Sequence, residues 1–166
     1  MNSEIIEIPR KLAEKVKKRK IDIETEIIDY LIKKLELNPD EEAKIHLELA
    51  EKFLKEGKNI LNKDPIQASE KFYKVAEECI KALALHKKYS SIIEKVKDKG
   101  RWGVNELDKS AIEISKEAGE WFIGAWDSAW TLHVWGFHET KLDKEEIKER
   151  IKYIEKIFQY TTSIIK

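Results

Sequence analysis

Two histidines five residues apart, His133 and His138, stand in the segment LHVWGFHE at residues 132–139, followed at once by Glu139. Imidazoles titrate near neutral pH and are common metal ligands. The pair, with Glu139, therefore has the residue types for general acid–base catalysis or for gripping a metal ion. On a continuous α-helix, residues five apart point about 140° away from one another. Gly136 lies between them and can break the helix so that they converge. The structural alternative is that His133 fills an aromatic edge and His138 caps a helix end. Arg101 and Trp102, between Gly100 and Gly103, mark the other place where polar residues fall outside any helical pattern. With Trp126 and Trp130 they are the candidates for holding a nucleotide or RNA. Trp126 and Trp130 also share an edge with Phe122 and His133, which suits a core or an interface equally well.

Other chemistry is excluded by what the chain lacks. None of the four histidines sits three residues after a glutamate, so the Glu-x-x-His pairs of dinuclear iron bundles are absent. There is no Gly-rich phosphate loop and no Gly-x-Ser-x-Gly elbow. The single cysteine, Cys79, can form neither an internal disulfide nor a cysteine metal cluster, and its place on an apolar stripe makes it a buried, inert thiol. No cofactor is implied and no metal ligand set is assigned. The 166 residues carry 32 Lys+Arg against 32 Asp+Glu, so no bulk field draws the protein to nucleic acid or membrane. No run of 18 apolar residues occurs, and the N-terminus has no basic-then-apolar signal pattern, so a cytoplasmic protein is expected. Lysine outnumbers arginine and only Gln67 and Gln159 are glutamines, a bias shared with proteins of hot environments.

The elements that must position these residues are helices. Six glycines and three prolines among many Lys and Glu exclude a strand-rich chain. Pro9 opens a first helix over residues 10–20, and Asp22 or Thr25 caps a second carrying Ile27, Ile28, Leu31, Ile32 and Leu35. Pro39 opens a third with the stripe Ala43, Leu47, Ala50, Leu54, Gly57, Leu61. Asp64–Pro65 starts a fourth with Ala68, Phe72, Ala76, Cys79, Ile80 and Leu83. The short link between these two predicts an antiparallel hairpin. Residues 89–106 lose periodicity apart from a short helix at 92–96, which marks a functional or flexible loop. A fifth helix is expected over residues 108–135, stopping at Gly136. A sixth runs from Asp143 with Ile147, Ile151, Ile154, Phe158 and Ile165 on one face.

In the fifth helix Ala111, Ala118, Ala125 and Leu132 recur every seven residues, trailed by Ile114, Trp121, Ser128 and Trp135. Small residues in such a seam admit a close neighbour, either within the chain or in a second subunit; the expected partner is a second copy, in a homodimer through Ala111, Ala118, Ala125 and Trp121. The two phrases AEKFLK and SEKFYK are not followed by a third copy, which argues for a closed bundle over a solenoid. Residues 1–37 resemble a ribbon-helix-helix unit, with a strand at residues 4–8 and the basic run KVKKRK. That strand carries Glu4 and Glu7 and no base-reading Arg, Asn or Gln, so DNA is not the expected partner.

The stretch LNPDEEAKIHLELAEKFLKEGKNILNKDPIQASEKFYKVAEECIKALA, with the later LHVWGFHE, resembles the archaeal PaREP family, which belongs with the HEPN superfamily. The resemblance covers most of the chain, including the N-terminal helices. It implies an all-α, up-and-down bundle of four or five helices (residues 38–166), often dimeric, here behind an N-terminal helical appendage (residues 1–37). HEPN proteins include RNA-cleaving toxins and nucleotide-binding partners of nucleotidyltransferases. The cleaving members carry an Arg followed four to six residues later by His. Arg10, Arg19, Arg101 and Arg150 have no such His after them, and the spacing survives only as His133 and His138, with imidazole where guanidinium belongs. The resemblance thus implies a binding or accessory module for a protein, nucleotide or RNA. The alternative is a divergent, metal-independent ribonuclease or toxin–antitoxin component using His133 and His138.

Overall fold

The computed structural model describes residues 4–19 and 21–166; residues 1–3, and Lys20 at the end of the basic run, lie outside the described residues. Among the described residues the chain is all-α, with eight α-helices, one π-helical segment and no strand. It divides into two compact units, Met1–Asn38 and Pro39–Lys166.

In the first unit, α1 (Arg10–Lys18) and α2 (Ile23–Leu35) contain no buried residue. The Asp22 carboxylate accepts from the Thr25 N–H at 3.3 Å and caps α2, which Glu36 ends in the left-handed conformation. Residues 4–9 take up no regular structure, so the strand expected at 4–8 is not formed. A strand needs a neighbour for its backbone groups, and among the described residues none exists.

The second unit is built around α4 (Pro65–His86). Its start is fixed by Pro65 in the first turn and by Asp64, whose carboxylate accepts from the Gln67 N–H at 3.0 Å. It packs against α3 (Pro39–Ile60), α6 (Val104–Ala118), α7 (Trp121–Thr131), the π-helical segment Leu132–His138 and α8 (Lys144–Ile165), and more lightly against α5 (Ser90–Lys99). The most extensive pair is α3 with α4. The two run antiparallel, since His46 meets Glu78 while Gly57 meets Phe72. A Cβ on Gly57 would stand 2.9 Å from Phe72 Cε1, so the glycine lets the α3 backbone close on that ring. The stripe Ala68, Phe72, Ala76, Cys79, Ile80 and Leu83 is wholly buried, and Ile147, Ile154 and Ile157 of α8 are too. Burial pushes the Cys79 thiol up to about 12, which keeps it inert. No helix among the described residues is long and apolar enough to cross a membrane.

The continuous helix expected over residues 108–135 is three elements. Gly119 breaks it at φ 103°, ψ 163°, backbone that is essentially restricted to glycine. The Trp121 indole N–H donates to the Ala118 carbonyl at 2.6 Å across the break. Ala111, Ile114, Ala125 and Leu132 are each fully buried within the single chain. These members of the heptad series therefore pack against intrachain neighbours, whereas Ala118, Trp121 and Ser128 are half-buried and Trp135 is exposed.

One feature of the core is polar. His46, Glu78 and Lys81 are almost fully buried between α3 and α4. His46 Nδ1 stands 2.5 Å from Glu78 Oε2, and Lys81 Nζ donates to Glu78 Oε1 at 2.8 Å and to Glu77 Oε1 at 2.7 Å. His46 Nε2 faces Glu42 Oε1 at 3.7 Å. Burial alone would lower the His46 pKa, but the Glu78 and Glu42 carboxylates outweigh it and raise it to about 9. Burial would raise Glu78, yet Lys81 and His46 hold its carboxyl well below the ordinary range. A folded pKa raised above the ordinary 6.5 means that the His46 contribution is complete below pH 6.5 and is lost as pH rises through about 9. Thermal unfolding should show Tm falling over that interval, and His46→Gln should flatten the fall. Glu78→Ala strands two buried cations and should cost about 3–5 kcal/mol in denaturant unfolding.

Candidate functional site

Sequence alone assigns Gly136 to the end of a helix. Instead the helix continues and widens: Leu132–His138 is π-helical, and the Glu139 N–H donates to the Val134 carbonyl at 2.8 Å, an i→i−5 bond. Gly136 is buried where this wide turn meets α4. A Cβ there would stand 2.6 Å from Ser69 Oγ and 2.8 Å from Ser69 Cβ. Glycine is needed for close approach and not for termination.

The wide turn changes which side chains meet. Its hydrogen bonds close i to i+5, so residues five apart stack instead of diverging. His133 Nε2 and His138 Nε2 lie 3.2 Å apart. His133 is held on three sides: Nδ1 is 2.7 Å from Glu70 Oε2, its ring stacks on Tyr73 at 4.2 Å, and Trp130 lies 5.3 Å away. The Glu70 carboxylate accepts from His133 Nδ1–H, and a second proton lies between the two facing Nε2 atoms. The His138 ring is exposed, whereas the His133 side chain is 19% exposed. Glu139 is also exposed, and among the described residues its carboxylate meets neither imidazole.

This contact bears on the acid–base role. In-line displacement at phosphorus sets the base and the acid on opposite sides of the reacting centre. Two imidazole nitrogens sharing one proton leave no room for a phosphate between them. As placed, His133 and His138 do not supply that pair.

Arg101 and Trp102 lie 32 and 31 residues before His133 in sequence, and α4 joins the two regions. They occupy the short link between α5, closed by Gly100 at φ 70°, and α6. The loop expected over residues 89–106 shrinks to this link because α5 and α6 both run longer than periodicity indicates. An open cleft of about 630 Å³ is lined here by Tyr73, Glu77, Lys99, Arg101, Trp102 and Leu107, among others. Arg101 is exposed and, among the described residues, without an ion-pair partner. Lys99 is committed to Glu106 at 2.6 Å. Trp102 is half-buried and packs on the apolar cluster of Ala43, Ala82, Leu85 and Ile165. Tyr73 thus lines the cleft and also carries His133. It sits 5.9 Å from Trp126 and 6.1 Å from Trp130 as well.

Trp126 does not serve as a stacking platform, since it is 3% exposed and its indole N–H donates to Asp108 Oδ1 at 3.2 Å. Trp130 keeps an exposed edge. Glu70 and Tyr73 were not among the residues singled out from sequence; their i, i+3 spacing on α4, off the apolar stripe, was the available signal. Among the described residues no group of three or more His, Cys, Asp or Glu is so placed that it could hold a metal ion.

If the Gly136 contact sets this geometry, Gly136→Ala should destabilise by about 1–3 kcal/mol in denaturant unfolding, and adding Ser69→Gly, which removes the opposing side chain, should restore part of the loss.

Residues 45–158 match the archaeal PaREP1/PaREP8 family, so the match starts beyond the N-terminal helices that the sequence resemblance took in. A crystal structure of a protein from Sulfolobus solfataricus is similar at TM-score 0.67 and 36% identity, over 71% of this chain and 97% of that one. A solution structure of the same target is similar at TM-score 0.56 and 36% identity, over 74% of this chain and 89% of that one. No curated protein matches. With two thirds of its length in the family match and the bundle shared with these structures, the chain belongs to the archaeal PaREP1/PaREP8 family.

Proposed function

We propose that the protein is a HEPN-like binding module that takes a nucleobase with its phosphate, as a nucleotide or at the exposed base of single-stranded RNA, and does not cleave it by the HEPN ribonuclease mechanism. The observation that carries this reading is the cleft beside α4, where an uncommitted guanidinium, Arg101, stands with the half-buried Trp102 indole above a wall that includes the buried Tyr73 ring. Aromatic faces take any base, at about 1–3 kcal/mol per stacked base. A guanidinium grips phosphate with paired donors. Neighbouring acids do not cancel this charge, because Glu106 is paired with Lys99 and Glu77 with Lys81. The absence of the Arg-then-His motif and the mutual contact of His133 with His138 support binding over cleavage.

Tryptophan fluorescence and calorimetry at low salt, with nucleoside monophosphates in one arm and short single-stranded oligoribonucleotides in the other, test the reading. Binding should weaken about tenfold in Trp102→Leu, which keeps apolar packing and removes the indole face. Arg101→Ala should also weaken it and reduce its dependence on salt. No binding of either ligand, or wild-type affinity in both variants, would refute the proposal, and RNA shortened by the wild-type protein would favour the ribonuclease reading.

A further inference from the structure

The geometry points to an exchangeable site for a divalent transition-metal ion, held by His133 Nε2 and His138 Nε2, with Glu70 fixing His133 from behind. This site lies on the π-helical turn, is separate from the Arg101 cleft, and does not depend on what that cleft binds. Two imidazole nitrogens bound to one tetrahedral ion, each about 2.0–2.1 Å from it, lie about 3.3–3.4 Å apart. The observed separation is 3.2 Å. A metal ion can therefore replace the shared proton at nearly the observed nitrogen separation, with the exposed His138 ring turning to aim its lone pair at the ion.

The surroundings of His133 are those of a metal ligand. Its Nδ1 donates to Glu70 Oε2 at 2.7 Å, which orients the ring with Nε2 outward. Tyr73, stacked at 4.2 Å, stops the ring from turning away. One nitrogen is thus rigid and the other free to adjust, and His138 opens to solvent, which gives the ion a way in. Imidazole donors select the borderline ions, Zn²⁺, Cu²⁺, Ni²⁺ and Co²⁺, over Mg²⁺ and Ca²⁺. Among the described residues two protein ligands converge, so the remaining positions fall to water or to an incoming anionic ligand. Glu139, next in sequence, points its carboxylate to neither imidazole and is not required.

The π-turn gives the pairing a structural reason. In a regular α-helix a two-histidine chelate uses the i, i+4 spacing, whereas i, i+5 works only where the helix widens. The other histidines are placed differently: His46 is buried against Glu78, and His86 faces Asp40.

Calorimetric titration of the full chain with Zn²⁺ in a non-chelating buffer tests the site, with Cu²⁺ electron paramagnetic resonance to count coordinated nitrogens. One ion per chain and two imidazole nitrogens are expected. His138→Ala changes an exposed residue and should weaken Zn²⁺ binding by about tenfold or more without altering thermal unfolding in chelator. Glu70→Gln keeps both ligands and should weaken it about tenfold. Absence of Zn²⁺ binding by the wild type, or wild-type affinity in His138→Ala, would overturn the assignment. So would a Cu²⁺ spectrum with a single nitrogen. Mg²⁺ binding as tightly as Zn²⁺ would equally exclude an imidazole site.

Discussion

The close approach of Gly136 to the Ser69 side chain sets the position of the groups around His133. Ser69 lies on the buried helix α4, and its hydroxyl donates back to the Pro65 carbonyl at 3.0 Å, so the side chain is folded against its own helix. The π-helical turn can then settle on α4 at a distance that admits no Cβ. From this docking the rest follows by helix geometry. One residue on from Ser69, Glu70 reaches His133; one turn on, Tyr73 lies under the same imidazole. The extra residue in the wide turn brings His138 over His133. Had the turn stayed α-helical, the second histidine would have faced about 140° away.

That arrangement requires α4 to hold a single register along α3, and the buried charges at its centre enforce one. Glu78 accepts from His46 on α3 and from Lys81 on its own helix, with Glu42 and Glu77 at the margins. A buried ion cluster of this kind adds little net stability compared with well-packed apolar residues of the same volume. Its effect on specificity is different. A slip of one turn would leave a carboxylate and an imidazolium each without its counterpart in the interior, at a cost of several kcal/mol, whereas an alanine-rich stripe such as Ala68, Ala76, Ala82 would tolerate the slip far better. The Phe72 ring over Gly57 adds a steric stop at the other end.

Legibility from the sequence followed the physics of each signal. Proline with a preceding aspartate announced α4, and Asp143 with Glu146 announced α8, because caps act over three or four residues. The hairpin of α3 and α4 was legible for the same reason. The break at Gly119 was not, since an apolar heptad continues across it and a glycine in mid-pattern does not reveal its φ. His133 and His138 were legible as a pair, but their convergence was assigned to a helix end, because Gly136 signals termination locally and close approach only when the opposing Ser69 is known. Glu70 and Tyr73 share a face of α4 through their i, i+3 spacing, but their roles depend on residues some 60 positions away, and that spacing does not say what meets the face. Trp126 illustrates the reverse error, an aromatic residue of the right type whose indole is spent on Asp108 in the core.

Tyr73 adjoins both regions, lining the Arg101 cleft and carrying the His133 ring, and its electrostatics decide what it can do there. Burial, then the nearby Glu77 and Glu70 carboxylates, push its phenol well above the ordinary range. The hydroxyl therefore stays protonated at any physiological pH, and the ring acts as a wall and not as an acid. That wall is rigid, because α4 is packed on nearly all sides. His133, stacked on it and tied to Glu70, shares that rigidity. Arg101 differs: it stands on the short link after Gly100, exposed and unpaired among the described residues. A cleft with a rigid aromatic wall and one exposed, unpaired cation discriminates little among bases and more by where the phosphate lies relative to the ring. Ligand selectivity in this protein is therefore expected to reside in the link between α5 and α6, while the helices supply a fixed surface against which it is read.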